Sequence, residues 1–109
     1  MLPARVSVGD VELNRGTRIV NRAGERVSLT TVEFDLLDAL LRAAGHIVSR
    51  EELVTSILGR KFSPSDRSID THVSNLRKKL GQSGDLSERI RTIRSVGYIY
   101  ARPDDAMNG

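Results

Sequence analysis

Across residues 5–29, apolar and polar positions alternate in four short runs, "RVSV", "VELN", "TRIVN" and "RVSL". Gly9-Asp10, Arg15-Gly16 and Ala23-Gly24-Glu25 separate them. A period of two gives a strand one buried and one wet face, and turn residues this close together permit only tight reversals. The stretch predicts a meander of four antiparallel strands.

At Thr30 the period changes to 3.6. "LTTVEFDLLDALLRAAG" opens with Thr30 and Glu33 at the spacing of a capping box and stops at Gly45. Phe34, Leu37, Leu40, Leu41 and Ala44 fall on one core-facing stripe. "SREELVTSILG" repeats the plan, with Ser49 and Glu52 as the box, Leu53 and Ile57 as the buried pair and Gly59 as the stop. "SPSDRSIDTHVSNLRKKLG" does so again, with Ser63 and Asp66 as the box, Pro64 at the first helical position and Gly81 as the stop. "ERIRTIRSVGYIYARP" has two alternating runs around Ser95-Val96-Gly97. It predicts a closing hairpin, with Gly97 supplying a backbone angle that side chains resist. The expectation is a single α+β domain over 1–109: four strands, three helices and a hairpin, with an ordered core at about 5–102 and a frayed tail.

Composition narrows the setting. The 109 residues suffice for one modest core. No apolar run approaches the ~20 residues that span a bilayer, and no signal-peptide pattern opens the chain. There are no cysteines, so disulfides and thiolate metal sites are excluded. These features fit a cytoplasmic location with no membrane partner. The two histidines lack any H-E-x-x-H spacing, so neither a metal nor a cofactor is expected. No nucleophile or pocket signature accompanies the paired carboxylates, and no enzyme is expected. Glu51 and Glu52 are explained by capping and the helix dipole.

The net charge of +3 conceals an uneven distribution. Residues 1–59 hold seven Arg/Lys against eight Asp/Glu, whereas residues 60–102 hold ten against four. Clustered positive charge is the footprint of a polyanion binder. On a helical wheel of residues 67–80, Ile69, Val73, Leu76 and Leu80 share a narrow inward arc. Opposite lie Arg67, Thr71, Ser74 and Lys78, with Asn75 beside them; Asp70 and Arg77 line one flank, His72 and Lys79 the other. Two readings of that surface stand: a solvated face, or a face for the major groove of a duplex. Short groups at its centre can approach base edges: Asn bonds adenine, Ser and Thr bond or touch a thymine methyl, Asp accepts from cytosine. Cations at the edges reach phosphates. Solvated faces more often carry Glu–Lys pairs at i, i+4, and this helix has no Glu, which favours the second reading.

The order of elements resembles a winged helix-turn-helix preceded by a four-stranded sheet, the effector domain of OmpR/PhoB-type response regulators. The matching stretches are "LTTVEFDLL", "GHIVSREEL", "DRSIDTHVSNLRKKL" and "IRTIRSVGYIY", and the match covers roughly residues 5–101. Within the family, "LGRKFSPSDRSIDTHVSNLRKKL" looks most like the CpxR envelope-stress subgroup. This resemblance implies sequence-specific binding of double-stranded DNA and transcriptional control in a two-component system. A recognition helix at 66–80 would lie in the major groove, with Asp70, Thr71, Ser74 and Asn75 facing bases. Arg67, His72, Arg77, Lys78 and Thr92 would meet the phosphate backbone. A wing at 90–101 would place Arg94 in the minor groove. The loop 58–65, with Gly59, Arg60, Lys61 and Phe62, would meet RNA polymerase. Two copies would sit head to tail on direct-repeat half-sites about one helical turn apart. Some relatives carry arginines where this chain has Ser74 and Asn75, so an operator cannot be borrowed. The chain shows no phosphoacceptor receiver domain. It reads as an isolated effector fragment, with a receiver in the full-length regulator, or as a regulator without that module.

Several residues fit a second role. His72 fits a phosphate contact or the cleft between helices, and His46 reads as a surface residue. Arg94 fits the minor groove or a solvent-exposed hairpin turn. Arg60 and Lys61 fit polymerase contact, DNA-backbone contact or plain loop charge. Tyr98 and Tyr100 read as structural cross-strand aromatics, and Phe34 as core. The competing reading of the whole chain is a winged-helix module that docks on another protein.

Overall fold

The computed structural model describes residues 3–81 and 88–102. The meander forms as the alternation predicts. Strands β1 (Arg5–Val8), β2 (Val11–Asn14), β3 (Ile19–Arg22) and β4 (Glu25–Val27) pair antiparallel in chain order. Leu13 pairs with Val20 and Val20 with Val27, so the apolar alternates share the inward face.

Helix α1 (Thr31–Arg42) begins with the predicted capping box. Thr30 Oγ1 accepts from Glu33 N at 3.1 Å, and Glu33 Oε1 accepts from Thr30 N at 2.9 Å. It ends at Arg42, short of the stop predicted at Gly45. Its buried face takes in Leu36 as well as Phe34, Leu37, Leu40 and Leu41, because α1 touches both β1 and the later helices.

Residues 47–49 depart from expectation, forming a short strand, β5 (Ile47–Ser49). Ser49 then caps α2 (Arg50–Leu53), its Oγ accepting from Glu52 N at 3.0 Å. The helix widens into a π-helical turn, Val54–Leu58, where the Thr55 and Ser56 hydroxyls donate to Glu51 and Glu52 carbonyls at 2.9 and 2.6 Å. Such back-bonding competes with the regular helical ladder. Gly59, at φ 66°, ends it where predicted.

Helix α3 runs Ser68–Leu80. The predicted start at Ser63–Pro64, and the range 66–80, are too long at the N-terminal end. Asp66 N bonds Ser63 O at 2.9 Å to close a turn, and Asp66 Oδ1 then accepts from Ser68 N at 3.0 Å. The Asp66 carboxylate thus caps the helix from the second residue before it. Ile69, Val73, Leu76 and Leu80 are buried, as the wheel requires.

Strands β6 (Ile90–Ile93) and β7 (Gly97–Tyr100) form the hairpin, and β7 is the middle strand of a β5-β7-β6 sheet. Here the role expected of Gly97 is corrected. The left-handed angle in the turn belongs to Ser95, at φ 64°. Gly97 is needed for space: a Cβ there would lie 2.0 Å from the Val48 carbonyl oxygen of β5. The tail expected to fray falls at 103–109, outside the described residues.

Candidate nucleic-acid interface

The outer face of α3 is the basic surface that the sequence marks. Arg67, Thr71, Ser74, Asn75, Lys78 and Lys79 are exposed, and His72 is half-buried on the flank. Thr71 Oγ1 donates to its own helix at Arg67 O, 3.2 Å away. Among the described residues, no hydrogen bond or ion pair occupies the side chains of Ser74, Asn75 or Lys78. Arg67 is 79% exposed.

Asp70 and Arg77, also expected to meet DNA, are engaged within the protein. Asp70 Oδ2 accepts from Arg50 Nη2 at 2.9 Å, and Oδ1 accepts from Arg50 Nε at 3.3 Å and from the Tyr98 hydroxyl. Arg67 Nη1 lies 3.6 Å from the same carboxylate. Burial, then the bond to Asp70 and its negative charge, push the Tyr98 hydroxyl up to about 12, so it remains a donor. Arg77 Nε donates to Ile90 O at 3.0 Å and Nη2 to Thr92 Oγ1 at 2.7 Å, with the guanidinium over the Tyr98 ring. The role of Arg50 was not read from the sequence. One signal was available: a cation in the first turn of a helix opposes the dipole and calls for a specific partner.

The far end of α3 is held as firmly. Arg22 Nη1 donates to Leu80 O at 2.6 Å and Arg89 Nε to Gly81 O at 2.9 Å, so two cations satisfy carbonyls at the negative end of the helix. Lys79 Nζ donates to the buried Glu33 carboxylate at 2.6 Å. Burial alone would raise the Glu33 pKa, but Lys79 and Thr30 outweigh it and hold the carboxyl below its ordinary value. Asp10 is likewise lowered, chiefly by its bond from Arg89. The four-stranded sheet and α1 therefore fix where α3 ends.

The hairpin turn carries Arg94, exposed beside Ser95 and Val96. Val96 N bonds Ile93 O at 3.0 Å, and Val96 O accepts from Arg50 N at 3.1 Å. Thr92 is exposed on β6. Tyr98 and Tyr100 are buried in the core, as expected of structural aromatics. In the loop after Gly59, Arg60 Nη2 reaches Asp66 Oδ2 at 2.8 Å and Ser68 Oγ at 2.6 Å. Phe62 is half-buried against the core, under the Arg50 guanidinium, while Lys61 is exposed. Among the described residues there is no cluster of metal-ligating side chains, and no helix is long and apolar enough to cross a membrane.

A three-helix core whose last helix turns a basic face outward, with a hairpin bonded along its flank, is a winged helix. Residues 24–100 match the family model described as "Transcriptional regulatory protein, C terminal", and the chain belongs to that family. The transcriptional regulatory protein CpxR of Klebsiella pneumoniae is 40% identical over 94 residues, covering 86% of this chain and 40% of that protein. CpxR of Escherichia coli K12 is 39% identical over the same length. The chain thus spans about two fifths of the length of the curated relatives it matches. Among solved structures, the DNA-binding domain of CpxR from E. coli superposes with a TM-score of 0.86 at 37% identity, covering 93% of this chain and 98% of that one. The K. pneumoniae RstA DNA-binding domain, solved in complex with the RstA box, gives 0.83 at 36% identity, with coverage of 91% and 98%.

Proposed function

We propose that this chain binds double-stranded DNA with sequence preference, as the effector domain of a two-component response regulator, and so controls transcription. The observation that carries this reading is the row Thr71, Ser74 and Asn75: short, exposed polar groups framed by Arg67 and Lys78. Family membership and the likeness to a domain solved on its DNA box support it. In the major groove, Asn75 would bond an adenine edge, and Ser74 and Thr71 would bond bases or touch a thymine methyl. Arg67 and Lys78 would hold phosphates, with His72 on the flank. Thr92 accepts from Arg77 and keeps its own hydroxyl proton for a phosphate; Arg77 would add the free edge of its guanidinium. Asp70 as a cytosine acceptor would need oxygens that Arg50, Arg67 and Tyr98 already fill, so base readout is assigned to the other three. Arg94 would enter the minor groove.

The remaining partners belong to the same proposal. A receiver domain in the full-length protein would control pairing, and two copies would lie head to tail on direct repeats. The loop Gly59, Arg60, Lys61 and Phe62 would meet RNA polymerase, mainly through Lys61, since Arg60 and Phe62 are engaged within the domain. The setting is cytoplasmic, where such DNA is met. Selection of bound duplexes from a random pool tests the reading, with affinity measured across salt. An enriched motif and a steep fall with salt are expected. A protein-docking module would give weak binding and no motif.

A further inference from the structure

From the way α3 grips the hairpin, we infer that Asp70 is a positioning residue: it sets the tip of the wing, and thereby what Arg94 reads, without touching DNA. The inference rests on the DNA-binding reading above. Helix α3 is bonded to the hairpin near two of its turns. Toward the C-terminal end, Arg77 holds Ile90 O and Thr92 Oγ1 on β6. In the first turn, Asp70 holds the wing by two further routes. One is direct, from the Tyr98 hydroxyl on β7. The other passes through Arg50, whose guanidinium grips Asp70 while its backbone N–H donates to Val96 O in the turn that carries Arg94.

Pairing with β5, from Ile47–Ile99 to Ser49–Gly97, and the Arg50 N–H on Val96 O hold the hairpin within its sheet, while Asp70 and Arg77 set that sheet against α3. With Asp70 released, Arg77 would keep its bonds to β6 and Arg50 its bond to Asp66 O, but α3 would lose its hold on Tyr98 and its carboxylate grip on Arg50, and the tip carrying Arg94 would shift relative to the helix. The network also settles why a carboxylate is tolerated on a surface meant for phosphates. Arg50 and Arg67 neutralise it, and its bonds turn it away from the groove. Minor-groove readout separates A·T from G·C by groove width and by the guanine amino group, so it depends on how deeply and where the wing enters. A helix side chain can therefore decide a preference expressed several base pairs from its own position.

The experiment is random-pool selection of duplexes with the wild-type chain and with Asp70→Asn, Tyr98→Phe, Arg94→Ala and the double variant Asp70→Asn/Arg94→Ala, each shown to be folded by circular dichroism. The wild-type pool should contain a core motif with an A·T-rich flank on the wing side. Asp70→Asn, Tyr98→Phe and Arg94→Ala should each keep the core and reduce the flank preference about tenfold. Adding Arg94→Ala to Asp70→Asn should change nothing more. A flank preference that survives Tyr98→Phe overturns the inference even if Asp70→Asn does not fold. So does a changed base within the core in Asp70→Asn, which would mean direct readout, or loss of the core by the folded variant. A wild-type pool with a core but no flank preference overturns the inference alone; a pool with no core sinks the DNA-binding reading itself.

Discussion

Gly97 and Ser95 sit two residues apart in the wing, and each is constrained for a different reason. At Gly97 the β5 carbonyl of Val48 occupies the place of a side chain. Gly97→Ala should destabilise the domain by about 3 kcal/mol, seen as a lower urea midpoint, because backbone must shift to admit the methyl. Ser95 adopts a left-handed angle that its Cβ resists. Ser95→Gly should stabilise the domain by roughly 0.5–1 kcal/mol and so raise the midpoint; no change would mean the turn holds Ser95 without strain. The sequence marks this turn correctly but assigns the angle to the wrong residue. The evidence for the true role of Gly97 lies in β5, which passes it from about fifty positions away, and no local pattern reports such a neighbour.

Helices were the legible elements. Their stripes, caps and glycine stops are local, and Thr30–Glu33, Ser49, Gly59 and Gly81 all act at helix ends. Strand β5 was not legible, since three residues are too few to show a period and its pairing with β7 is long-range. The start of α3 was misplaced because Ser63 and Asp66 have the spacing of a box, while the Asp66 carboxylate reaches forward to Ser68 instead. The outward face of α3 was visible from the wheel; that Asp70 and Arg77 are tied to the hairpin was not, because their partners lie 20 to 28 and 13 to 15 positions away. Two predictions belong here. Asn75→Ala should cost roughly 1–3 kcal/mol on the selected duplex and relax one base position, while Lys78→Ala should weaken all sequences alike and flatten the salt slope by about one. Equal behaviour of the two on matched and scrambled duplexes would show the faces misassigned. The second concerns acid. Glu33 and Asp10 are held below their ordinary values of 4.5 and 3.8, so the stability they lend is complete above those values and is lost as falling pH protonates the folded carboxylates. Unfolding temperature should stay level above about pH 5 and fall below it, and Glu33→Gln should make that decline shallower.

On the scale of the molecule, the division of charge is its plainest feature, with the excess of cations confined to 60–102. The preceding sheet and α1 supply Arg22 and Glu33, which brace the far end of α3. If two copies bind one site head to tail, footprinting on the selected DNA should show half-sites about 10–10.5 base pairs apart, and inserting five base pairs between them should abolish cooperative binding. Unchanged cooperativity after that insertion would reject the paired arrangement. One consequence concerns descent. Because the helix is braced at both ends by Asp70, Arg77, Arg22 and Arg89, the trio Thr71, Ser74 and Asn75 has little duty in folding. If that trio reads bases as proposed, mutation can rewrite those three codons and give the lineage a new target while the scaffold beneath goes untouched.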